Sequence, residues 1–136
     1  LWAWGDPLRG SAVGPAWKED ASNDADEQLQ QAGMHHDGMA FFPLDERGER
    51  ALLAINHEYI DNGLLFPDGL EDWSAAKVRK SQAAVGVSIV EIALAAGRWR
   101  IVDSRYARRV SALTPCRVNG PAAVQLGAEA IGTLAN

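Results

Sequence analysis

A single cysteine, Cys116, leaves no internal disulfide framework, so its thiol is a buried small side chain, a metal ligand or a reactive group. No apolar run approaches the roughly 20 residues needed to cross a bilayer, and the start of the chain lacks the charged, apolar and cleavage regions of a signal peptide. Positive charge is short as well. Thirteen Lys and Arg against 18 Asp and Glu give a net charge of -5, which argues against a nucleic-acid binder relying on phosphate neutralisation and suits the binding of cations. P-loop and dinucleotide glycine spacings, the G-x-S-x-G elbow and the H-E-x-x-H pattern are all missing. Nucleotide cofactors, a serine-elbow hydrolase and zinc therefore lack support, and Ser104 and Ser111 have no context that would make them nucleophiles.

What is present is enough apolar material for one packed domain, 47% of 136 residues. The chain starts at Leu1-Trp2-Ala3-Trp4 with no Met, so a region upstream is expected. Trp2 to Trp17 mixes three tryptophans with Pro7, Pro15 and three glycines, which predicts an irregular arm anchored by aromatics on something larger. Ser22 to Ala32 predicts a short exposed helix, capped by Ser22 or Asn23 and stopped by Gly33. Gly38 to Leu44 and Arg50 to Asn56 predict a hairpin across the polar loop Asp45 to Glu49. Asp61 to Trp73 predicts a loop, and Ser74 caps a helix through about Ala83 whose Lys77, Arg79 and Lys80 form a wet face. A second hairpin pairs Gly86 to Leu94, buried on both faces, with Arg98 to Val102 through Ala95-Ala96-Gly97. Trp99 and Ile101 point to one side of its second strand, Arg98 and Arg100 to the other. The last apolar stretch, Ala130 to Leu134, predicts a strand with no partner after it and hence a bare sheet edge. The fold expected is mainly β, antiparallel hairpins with two short helices.

The three histidines fall in two clusters, His35-His36-Asp37 before the first strand and Asn56-His57-Glu58 after the second. In an antiparallel hairpin the start of one strand lies beside the end of the other, so these clusters, outside the paired region, should meet. Glu58 is the leading metal ligand, because a carboxylate at a strand end can hold a cation while its neighbours orient it. The bland alternative is a surface Glu on a polar loop. Asp37 with His35 and His36 is either a ligand or phosphate contact, or a loop whose Asp caps a backbone turn. Oxygen donors favour calcium or another hard cation, whereas a thiolate with carboxylates would suit iron. Arg105, Arg108 and Arg109 could clamp a phosphate through bidentate hydrogen bonds, or be solvated charges on an edge strand.

The run Trp4-Gly5-Asp6-Pro7-Leu8, then His35-His36-Asp37-Gly38-Met39 with Phe41-Phe42-Pro43-Leu44, then Asn56-His57-Glu58-Tyr59, resembles the PhoX-type alkaline phosphatase family, formerly a domain of unknown function. Val78-Arg79-Lys80-Ser81-Gln82, Tyr106-Ala107-Arg108-Arg109, Thr114-Pro115 and Gly120-Pro121-Ala122-Ala123 follow in the same order. The resemblance implies the N-terminal part of a β-propeller, residues 1–136 being a partial phosphatase domain, in an enzyme exported to the periplasm or secreted by the twin-arginine route. It implies calcium and iron as cofactors, a phosphate monoester as substrate, and the rest of the parent protein or a second copy as partner. Carried over by position, Glu58, Asp37 and His57 are the implied metal ligands, and Arg108, Arg109, Asn56 and His36 the implied phosphate contacts. No nucleophile follows from the match.

Several features depart from it. Relatives are several-fold longer and continue into a Cys and a Thr-Pro-Trp-Gly stretch that supplies more of the site. They commonly have His where this chain has Val85, and often Met where it has Cys116, so Cys116 inherits no iron-binding role. A non-catalytic metal- or phosphate-binding segment is therefore the main alternative to part of a phosphatase. An interaction module anchored by the five tryptophans is a third.

Overall fold

The computed structural model describes residues 2–117 and 131–133. Among these residues three helices and seven strands run in the order α1 (Ala25–Gln28), β1 (His36–Pro43), β2 (Arg50–His57), α2 (Asn62–Leu65), α3 (Ala75–Ala84), β3 (Gly86–Ala95), β4 (Arg98–Val102), β5 (Arg108–Ser111), β6 (Pro115–Arg117) and β7 (Ile131–Thr133). Every pairing is antiparallel, as expected of a mainly β chain built from hairpins. β1 to β4 lie side by side in chain order, and β5 also pairs with β3. Because β2 occupies one edge of β3, the other is shared end to end by β5 at Gly86–Ile89 and β4 at Glu91–Ala95. Among the described residues no helix is long and apolar enough to cross a membrane.

Alternation along β2 decides the core. Ala51, Ile55 and His57 are buried and Leu53 half-buried, and the register sets Ile92, Val90, Ser88 and Gly86 opposite them on the same face. That face is closed by Leu8 and Trp2 from the N-terminal arm and by Trp99 and Ile101 of β4, while Arg98 and Arg100 point out. The arm is irregular and anchored by aromatics, as expected, with Trp4 edge-on to Trp17 at 4.8 Å. A second apolar cluster, Met34, Leu65, Phe66 and Ala84, ties α2 and α3 to the entrance of β1. The other face of the sheet, with Leu52, Ala54, Val87 and Ile89, stays half-exposed.

Several expectations are corrected. The first helix is only four residues long and is capped by Asp24, whose carboxylate accepts the Glu27 N–H while Glu27 accepts that of Asp24. Asn23 cannot cap it because its amide is buried and donates to Gln28 and Gln31, and the helix is not an exposed one, since Ala25 and Gln28 are also buried. The loop after Asp61 contains α2, begun by the Asp61 side chain on the Gly63 N–H and anchored by fully buried Leu65; Gly63 masked it in the sequence. Ser74 does cap α3, but Lys80 leaves the wet face: it is buried, and its Nζ donates to the Ala21 and Leu65 carbonyls. The apolar stretch near the end gains a partner on one side, since β7 pairs with β6, and its other side has no strand partner among the described residues, as expected. Among the described residues β1 forms one edge of the larger sheet, exposed along its whole length, and β4 and β5 together form the other. Gly120–Ala123 lies outside the described residues.

Candidate functional site

The two clusters do meet, but inside the ladder instead of beyond it. His36 opens β1 and pairs with His57, which closes β2, and the register slips between His36 and Met39. The slip leaves Asp37 and Gly38 without ladder partners, and a polar side chain fills the gap. Asn56 Oδ1 accepts the Gly38 N–H at 2.6 Å and the Asp37 N–H at 3.2 Å. Its oxygen is thereby spent on the backbone, and its Nδ2 is left as a donor. One residue further out, the Glu58 N–H donates to the His35 carbonyl at 3.1 Å, closing the mouth of the hairpin. The carboxylates of Asp37 and Glu58 are exposed at this end.

Beneath them the rings pack in series. His57 is only 2% exposed, and its Nε2 shares a 2.7 Å hydrogen bond with Ser88 Oγ of β3. Burial pushes its pKa down to about 3, with the positive charges of Arg109 and His36 adding to the effect, so the ring is neutral at ordinary pH. His36 donates from Nε2 to the Gly33 carbonyl and stacks on Trp2 at 5.6 Å; burial of its ring lowers its pKa as well. Trp2 also touches His57, with centroids 5.9 Å apart. A Cβ on Gly33 would lie 2.6 Å from His57 Cγ and 2.7 Å from Arg109 Nη2 and collide with the Ala84 carbonyl, so only glycine admits this approach.

Of the expected phosphate-binding arginines, the structure brings Arg109 close to the histidine pair and leaves Arg108 on the sheet surface. Arg109 turns inward, donating from Nε to the Gln31 carbonyl and from Nη2 to the Ala83 carbonyl, and burial alone lowers its pKa to about 10. It stays charged at neutral pH, and its buried Nη1 has no protein partner among the described residues. Arg108 is exposed on edge strand β5. Arg105 lies over the Tyr106 ring and bonds its hydroxyl, away from the clusters. Cys116 sits half-buried on β6 with its Sγ on the Thr114 carbonyl.

Three participants had escaped the sequence reading. Trp2 roofs the histidine pair, Gly33 admits it, and Ser88 satisfies His57. Ser88 alone left a signal: a single hydroxyl inside the apolar run Val87 to Val90 must find a buried partner.

As a donor set, the exposed Asp37 and Glu58 carboxylates fit a hard cation, which takes six to eight oxygens when it is calcium. They fit as part of a shell only. Among the described residues no group of three His, Cys, Asp or Glu side chains is placed to hold an ion. His57 has Nε2 engaged by Ser88, and its buried Nδ1 has no partner among the described residues.

A family model described as alkaline phosphatase PhoX matches residues 1–136. A solved structure, Pseudomonas fluorescens PhoX in complex with vanadate, a transition state analogue, is similar at 41% identity with a TM-score of 0.82, over 90% of this chain and 21% of that one. No curated protein matches.

Proposed function

Because this chain belongs to the PhoX alkaline phosphatase family, we propose that it forms part of an enzyme that hydrolyses phosphate monoesters with the aid of calcium and iron. The observation that carries this reading is the hairpin mouth, where the Asn56 amide and the backbone of two residues with exposed carboxylates, Asp37 and Glu58, are fixed by hydrogen bonds in a chain matched by the family model along its whole length. Residues 1–136 would be one portion of a β-propeller domain, since the chain spans 21% of the length of the solved relative. Export to the periplasm or beyond the cell by the twin-arginine route goes with this reading.

Glu58 and Asp37 would supply carboxylate oxygens to a cation, the remaining donors coming from elsewhere in the enzyme. A bound cation of this kind neutralises phosphoryl oxygens and stabilises charge on the attacking and leaving oxygens. Asn56, with Oδ1 held in the bulge, would turn Nδ2 to a phosphate oxygen. Arg108, exposed on β5, would be the arginine that steadies the phosphate. His57, His36 and Arg109 would position this mouth from below, each anchored to the protein through at least one ring or guanidinium nitrogen.

A second reading is favoured by one observation, the absence of any three-donor group among the described residues. On that reading the segment by itself binds metal or phosphate without turnover. Hydrolysis of an aryl phosphate with and without added calcium and iron tests both, using the full-length enzyme beside this chain alone. Metal-dependent turnover by the full-length enzyme supports the phosphatase reading, and its failure to hydrolyse any monoester would contradict it.

A further inference from the structure

Beside Glu58 in the chain, at the mouth of the hairpin, stands an aromatic pair that the phosphate chemistry does not use. The rings of His35 and Tyr59 lie 3.8 Å apart between centroids and only 11° from parallel. Both are exposed, Tyr59 to 54%, and among the described residues the Tyr59 hydroxyl has no hydrogen bond. Apart from the looser stack of Trp2 on His36, the other aromatic pairs behave differently. Trp4–Trp17, Phe41–Trp99 and Phe66–Trp73 meet edge-on, and Trp2 packs over buried His57.

The backbone holds this pair at the site. His35 has φ +48°, a left-handed conformation uncommon for a side-chain-bearing residue, and its carbonyl is fixed by the N–H of Glu58, the residue preceding Tyr59. The same turn therefore sets both the carboxylate backbone and the stack. In a two-ring stack each ring keeps one face free, and an aromatic face binds best another flat ring in offset or edge contact.

We propose that the His35–Tyr59 pair is a subsite for the leaving group of the ester, selecting planar aromatic alcohols over aliphatic ones. This rests on the reading of Glu58 as part of the phosphate site. The phosphoryl end is held by charge and hydrogen bonds, which treat all monoesters alike, so discrimination between esters falls to whatever touches the alcohol. The pair supplies a flat aromatic surface of the required shape.

The test compares kcat/KM for 4-nitrophenyl phosphate and glycerol 2-phosphate in the full-length, metal-loaded enzyme, its Tyr59→Ala and Tyr59→Phe variants, and Glu58→Gln. Tyr59→Ala should lose about tenfold on the aryl ester, mainly through KM, with the glycerol ester unchanged, and Tyr59→Phe should retain the preference. Equal losses on both esters, or no loss on either, would overturn the subsite. Full activity of Glu58→Gln on both esters would instead overturn the underlying site reading, whatever Tyr59 does.

Discussion

His36 and His57 face each other across the first rung of the β1–β2 ladder, their ring centroids 4.9 Å apart, one exposed at the rim and the other buried beneath it. The two have unequal tasks. His57 ties β2 to β3 through Ser88, whereas His36 ties the rim to Trp2 and Gly33.

Replacing His57 with Ala should therefore cost about 2–4 kcal/mol of stability, since it opens a cavity under Trp2 and strands the Ser88 hydroxyl. His36→Ala should cost about 1 kcal/mol or less, as an exposed position. Urea unfolding of the two variants measures the difference, and equal losses would contradict the assignment.

Gly33→Ala should be among the most damaging single-methyl additions, because the Ala84 carbonyl, the His57 ring and Arg109 leave no room for a Cβ. A loss of about 3 kcal/mol or more is expected from such overpacking. Gly48→Ala serves as the comparison. Nothing lies within 4 Å of a Cβ there, and its cost should come from φ +66° alone.

Acid stability should depend on Glu91. Its side chain is 4% exposed, accepts from Ser104 Oγ at 2.6 Å and pairs with Arg50, and the Ser104 bond followed by the Arg50 contact holds its pKa below the ordinary carboxylate value. A depressed carboxylate contributes stability above its unfolded pKa of about 4.3, and that contribution is lost as pH falls through the folded value. Ser104→Ala should thus move the acid-unfolding midpoint to higher pH, followed by tryptophan fluorescence; an unchanged midpoint would contradict this.

Ser74→Ala should cost about 1 kcal/mol by removing the side-chain acceptor for the Lys77 N–H. Thermal melting of the variant gives the value.

Both hairpins were legible because alternation and turn residues are local signals, and Ser74 announced its helix for the same reason. The short helices were less so. Asp24 prevailed as cap over Ser22 and Asn23 only because Glu27 answers it, and α2 exists because Leu65 is buried, a tertiary fact with no local mark. Lys80 illustrates the limit best: a lysine on a weakly patterned helix reads as wet, yet two backbone carbonyls from distant segments, Ala21 and Leu65, hold its ammonium inside. At the site the sequence located the meeting of the clusters, but strand ends are its least certain feature, so the bulge filled by Asn56 could not be seen. Nor could the inward turn of Arg109, since adjacent residues on a strand point to opposite faces and only the structure says which arginine faces in.

The central claim is that the Glu58 carboxylate holds a metal needed for phosphate-ester hydrolysis, and counting metal tests it most directly. Elemental analysis of the purified full-length enzyme and of its Glu58→Gln variant, with circular dichroism to confirm folding, should show the variant folded, lacking at least one metal equivalent, and at least 100-fold less active. A folded Glu58→Gln variant with the full metal complement and undiminished hydrolysis would contradict it.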